Sequence, residues 1–176
     1  MNNQQTLGIA ILLGGAFAAA AQHPPMPAGM SHEEHLRQMG KDKALEQRGN
    51  LAMGFDQDKT VHHFLLSAAG GAIVVTSRDA ADGDSIAQVR AHLREIAAAF
   101  GRGAFDAPVA THAELPPGAA TMAANARLIT YHYVERLDGA AVRIETDDAP
   151  TLAAIHDFLR YQIVEHRTGD PLTVPQ

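Results

Sequence analysis

The 176-residue chain contains no cysteine. Disulfides, thiolate metal sites and cysteine nucleophiles are therefore excluded. It also lacks a G-x-S-x-G elbow, a P-loop and a dinucleotide-binding glycine fingerprint. "HEEH" (32–35) spaces its histidines three apart rather than four, so it is not the H-E-x-x-H metalloprotease pattern. "DAADGD" (79–84) is acidic but lacks the spacing of an EF-hand; it reads as a hairpin-to-helix turn. Positive charge is scarce too. The net charge is −6, which argues against a nucleic-acid partner. The longest apolar run, Leu7 to about Ala21, is short and glycine-containing for a membrane span. No Lys or Arg precedes it, yet it ends in small residues before a Pro-rich stretch, which is the form of a secretory signal peptide. The expectation is a periplasmic or secreted protein, with residues 1–21 cleaved and no integral membrane segment remaining.

Histidine, by contrast, is plentiful, with ten in the chain. The mature sequence first predicts an extended and helical N-terminal arm over residues 22–58. Ser31 and Glu34 form a capping-box pattern, Gly49 is a plausible stop, and the polar interior suggests a solvent-exposed helix. Residues 59–171 then repeat one pattern. "TVHHFLLSAAGGAIVVTSRD" reads as a hairpin, and "DGDSIAQVRAHLREIAAAFGRG" as a helix with Ile86, Val89, Leu93, Ile96 and Phe100 in one stripe. "ARLITYHYVERLDGAAVRIETD" is a second hairpin. "DAPTLAAIHDFLRYQIVEHRTGDP" is a second helix, capped by Asp147 or Asp148 and stopped by Gly169 and Pro171. The implied fold class is α+β, a duplicated ββα unit (59–103 and 126–171). Its product is a four-stranded antiparallel sheet with two helices on one face. Residues 104–125 are expected to be a long connecting loop and 172–176 a tail.

Two-residue turns at Ala69-Gly70 and Asp138-Gly139 place His62, Phe64, Tyr131 and Tyr133 on the core face. His63 and His132 then lie on the outer face. Overlaying the repeats seats His62 over Tyr131, His92 over Phe158 and His166 over Phe100. Three histidines thus occupy seats that the other repeat gives to aromatic residues. His156 falls on a helix flank and is expected to be exposed.

Imidazole binds zinc and copper. The candidate metal ligands are an inner set (His62, His92, His166), an outer pair (His63, His132) and the arm (His23, Met26, Met30, His32, His35), whose thioethers suit copper. The outer pair requires the first and third strands to be neighbours. The main alternative is a non-catalytic small-molecule or protein-binding module. Its basis is the apolar outer face of Val61, Leu65, Val74 and Val134, which the arm, the long loop or a second copy, forming a homodimer, could cover. A hydrolase-type enzyme ranks behind both, with His112, or His156 beside Asp157, as general bases.

The stretches "AMGFDQDKTVHHF" (52–64) and "HDFLRYQIVEHRTGDP" (156–171) resemble those of a family of uncharacterised exported bacterial proteins. The shared features are a signal peptide, an MGFD-x-x-KT-x-HHF-like segment and a C-terminal FLR-x-QI-x-x-H-x-TGD-like segment. The resemblance covers about residues 50–171 and implies no catalytic residue. It places His62, His63 and His166 inside the signature segments and leaves the Met/His arm outside them.

Overall fold

The computed structural model describes Pro27 and residues 29–176. The expected signal peptide, His23 and Met26 lie outside the described residues. Helix α1 (His32–Met53) opens with the predicted capping box: the Ser31 hydroxyl accepts from the Glu34 N–H and the Glu34 carboxylate accepts from the Ser31 N–H. The helix runs past Gly49 and stops at Gly54, which adopts the left-handed conformation at φ 71°. Gly49 is not a stop because it serves packing. A side-chain carbon there would overlap the Gln57 side chain folded back against the helix. Nor is the whole of α1 a free arm. Its C-terminal half docks on α3, where Arg48 Nε donates to the Thr111 carbonyl at 3.0 Å.

Strands β1 (Thr60–Ser67) and β2 (Gly70–Ser77) form the first hairpin, followed by α2 (Gly83–Gly101). Residues 104–125 are not a plain loop. They carry α3 (Asp106–His112), with Pro108 in its first turn, and α4 (Ala119–Ala124). Strands β3 (Thr130–Arg136) and β4 (Gly139–Glu145) form the second hairpin, and α5 (Ala149–Glu165) completes the order. The sheet is antiparallel throughout in the order β1-β2-β4-β3. The class is therefore α+β, with α2 and α5 on one face. No helix among the described residues is long and apolar enough to cross a membrane.

Both hairpin turns fall one residue before the place that the glycines and "DG" predict, which moves the strand pairing by two residues. Ser67 pairs with Gly70 and Arg136 with Gly139, so the turns are Ala68-Ala69 and Leu137-Asp138. A shift of two preserves side-chain parity, and every face assignment survives. Phe64, Leu66, Ile73, Val75, Val142 and Ile144 are buried under the helices, while Leu65 and Val134 remain exposed on the outer face. At the centre of the sheet Ile73 pairs with Val142, its own counterpart in the second repeat. The two ββα units are thus related by a local two-fold axis through that pair. Across the axis the helices exchange places: α2 packs over β3 and β4, and α5 over β1 and β2.

Helix α2 is capped by Asp82, whose carboxylate accepts from the Ser85 N–H at 3.0 Å. The predicted stripe of Ile86, Val89, Leu93, Ile96 and Phe100 is wholly buried. Asp148 caps α5. That helix ends in a Schellman arrangement, with Arg167 N–H donating to Val164 O and Thr168 N–H to Ile163 O. Arg167 occupies the left-handed position at φ 50°, a place usually given to glycine. Its side chain makes a two-pronged ion pair with Asp42 at 2.7 Å, which ties α1 to the end of α5.

Candidate functional site: a cavity walled by four imidazoles

The inner set converges. His62 from β1, His92 from α2 and His166 at the C-terminus of α5 all line one cavity of about 60 Å³. His112 from α3 joins them, along with Met53, Thr111 and Gln162, against a wall that includes Phe64, Ile96, Phe100 and Phe158. Strand alternation points His62 to the same side as Phe64 and Leu66. Helix phase brings His92 beside Leu93 and carries His166 one turn beyond Gln162.

The rings are close together. The His62 and His166 centroids are 5.6 Å apart and near-parallel at 19°, and His112 meets His166 edge-on at 5.1 Å. Phe55 stacks on His62 at 5.7 Å and presents an edge to His92 at 5.5 Å. This apolar enclosure penalises the imidazolium form. Burial, together with the positive charge that His92, His63 and Arg78 would bring, pushes His62 down to about 4. Burial pushes His92 down to about 4. Burial and the neighbouring His62 and His112 push His166 down to about 3. His112 is lowered by burial too, against the opposing pull of its Gln162 hydrogen bond and of Glu165 and Glu114. All four are neutral at pH 7.

Several polar atoms here are left without partners. His112 Nε2 lies 2.9 Å from Gln162 Oε1. With that nitrogen donating, His112 Nδ1 carries a free lone pair. His62 Nε2, His112 Nδ1 and Gln162 Nε2 are buried with no hydrogen-bond partner. Buried polar groups are ordinarily paired, so three orphans in the wall of one cavity single it out as the candidate site. Among the described residues, no group of three or more His, Cys, Asp or Glu side chains is already arranged to hold a metal ion.

The outer pair does not come together. His63 and His132 lie on β1 and β3, which are opposite edges of the sheet. Three strand spacings separate them, about 14 Å, too far to share an ion. His132 Nε2 sits 3.9 Å from Glu145. His63 has a structural partner that the sequence does not reveal: its Nδ1–H donates to Asp170 Oδ1 at 2.8 Å, and Asp170 Oδ2 accepts the Phe64 N–H at 2.9 Å. The carboxylate thereby blocks the exposed edge of β1 with the C-terminal segment. Replacing Asp170 with Ala removes both bonds and leaves a strand N–H unpaired. It is expected to lower stability by about 1–3 kcal/mol, measured as the shift in urea unfolding. A shift below about 0.5 kcal/mol contradicts the clamp.

In the arm, His32 and His35 stand in the first turn of α1 with Met30 just before it. His32 is exposed and His35 half-buried, on the part of α1 remote from the cavity-lining Met53. The two expected general bases are engaged elsewhere. His112 is the buried cavity residue rather than a loop histidine. His156 is not free in solvent: Nε2 contacts the carbonyls of Ser67 at 2.9 Å and Gly70 at 3.1 Å, closing the first hairpin turn. Its neighbour Asp157 pairs with Arg160 at 3.3 Å.

The fold and site define an α+β protein with an internal two-fold relation and one imidazole-walled cavity between its sheet and helices. Comparison with protein-family models, curated proteins and solved structures finds no match.

Proposed function

We propose that this is an exported, non-catalytic binding protein that captures a copper or zinc ion in the four-histidine cavity. The observation that carries this is the convergence of His62, His92, His112 and His166, all neutral, with His62 Nε2 and His112 Nδ1 unpartnered. Metal binding needs the unprotonated imidazole, and both ions accept it. The spacing also suits it. Two imidazoles on one ion at a nitrogen–metal distance of about 2.0–2.1 Å hold their ring centres roughly 5 Å apart, and the observed separations are 5.1 and 5.6 Å. His62 and His166 lie nearly parallel, so shared ligation requires one ring to turn about its χ2 bond. That accords with the lack of a ready-made ligand cluster among the described residues.

The test is titration of the purified full chain with Zn(II) and copper against a coloured chelator. One ion per chain is expected, with at least a tenfold loss of affinity on changing His62, His112 or His166 to Ala singly, about 1.4 kcal/mol each. Metal uptake that ignores all three changes, or is lost only on deleting residues 22–40, moves the site away from the cavity. A second reading is a small uncharged molecule, favoured by the apolar wall of Phe64, Ile96, Phe100 and Phe158. It gains if no metal is taken up while a neutral probe perturbs the His62 and His112 ring resonances. The exposed outer face, with Leu65 and Val134, is offered to a second copy in the same proposal.

A further inference from the structure

We infer that the ion this cavity selects is monovalent copper, and that Met53 supplies a thioether ligand. This rests on the metal-binding proposal above and narrows it. Two features of the lining point to it. First, no carboxylate of the described residues lines the cavity; its polar side chains are four histidines, Gln162 and Thr111. A dication there would bring two uncompensated charges into apolar surroundings. Because the solvation cost of an ion scales with the square of its charge, a monocation faces about a quarter of that penalty. Second, Met53 is the one methionine that lines the cavity among the described residues. It is the last residue of α1, half-buried against the core and directly before the Gly54 turn that leads to Phe55. Thioether with neutral imidazole is a soft donor set, which favours Cu(I) over zinc and over divalent copper.

Met122, although fully buried, lies on α4 and does not line the cavity. Met30 and Met39 belong to the start of the arm. Met53 is therefore how α1 reaches the site, and its ligation would fasten the arm helix to the body at the end opposite the Ser31 cap.

The experiment titrates the full chain with Cu(I) under a reductant and without oxygen, against bathocuproine, and separately with Zn(II). The variant Met53→Leu keeps the bulk and removes the sulfur. Expected are one Cu(I) per chain held more tightly than Zn(II), and at least a tenfold weakening of Cu(I) in Met53→Leu with Zn(II) affinity unchanged. X-ray absorption supplies a readout independent of the variant's folding: in selenomethionine-labelled protein, the copper edge should show a selenium neighbour. Zn(II) held as tightly as Cu(I), Cu(I) affinity unchanged in Met53→Leu, or copper bound with no selenium neighbour overturns this inference while leaving the metal-binding proposal standing. Failure of the native chain to bind either ion overturns both.

Discussion

Lowering the pH from 7 to 5, with a chelator present, is expected to remove about 4–6 kcal/mol of folding stability, enough to bring many single domains to the edge of unfolding. The cause is the group of histidines held neutral in the fold. Burial pushes His62 and His92 down to about 4 and His166 to about 3. In the unfolded chain the same side chains titrate near 6.5. Between those values the unfolded state binds protons that the folded state refuses, so stability rises with pH across the window from about 4 to 6.5. Above 6.5 both states are neutral and the dependence vanishes. Below about 3–4 both are protonated and it levels off. Each fully effective histidine contributes a slope of about 1.4 kcal/mol per pH unit, hence roughly 2 kcal/mol by pH 5. Urea midpoints measured from pH 8 to pH 5 test this. Replacing His62 with Phe, close in kind to the tyrosine of its sister seat, should cut the slope by about 1.4 kcal/mol per pH unit and stabilise the protein at pH 5. A midpoint that does not move between pH 7 and pH 5 contradicts the buried neutral cluster.

The inner set was legible because it follows from periodicity. Strand alternation puts His62 beneath the helices. Helix phase does the same for His92 and His166, and a turn displaced by one residue, which moves the pairing by two, could not upset that parity. The turn error has a plain origin. Gly70 and Gly71 look like turn residues, yet both are buried in β2, where neighbouring chain comes too close for a side chain. Non-local partners were not legible. His112 and Gln162 meet only because α3 packs beside α5, at a separation that no local pattern encodes. Asp170 reaches His63 across more than a hundred residues of sequence. The docking of α1 was hidden by its polar composition, since two of its links to the body, Arg48 to the Thr111 carbonyl and Asp42 to Arg167, are polar and leave no apolar stripe to read. The long connection was misjudged because its helices are short, and Pro108 and Gly118 look like loop formers when each sits at a helix start.

Gly71→Ala is expected to cost about 3 kcal/mol or more, while Gly40→Ala, the same chemical change, is expected to stabilise the protein by about 0.5–1 kcal/mol. At Gly71 the added carbon would overlap the Leu65 carbonyl and the Leu159 side chain. The carbonyl belongs to the hairpin and cannot yield without breaking it. Leu159 is wholly buried in α5 and has no space to move into. The clash therefore lifts α5 from β1 and β2, and cores respond to such overpacking with shifted backbone. Gly40 lies inside α1 with nothing within 4 Å of a built side-chain carbon, so only the helix preference of alanine acts there. Urea unfolding of both variants tests the contrast, and equal effects of one sign would refute the close approach of α5 to the sheet. The consequence extends to the cavity. Helix α5 carries Gln162 and ends at His166, and its other neighbour in the cavity is Phe158. A helix displaced by Gly71→Ala moves those three side chains against His62, which stays with the sheet. If the cavity binds a metal ion through rings on both sides, the folded fraction of Gly71→Ala should hold that ion at least tenfold more weakly, about 1.4 kcal/mol, and Gly40→Ala should hold it as the native chain does.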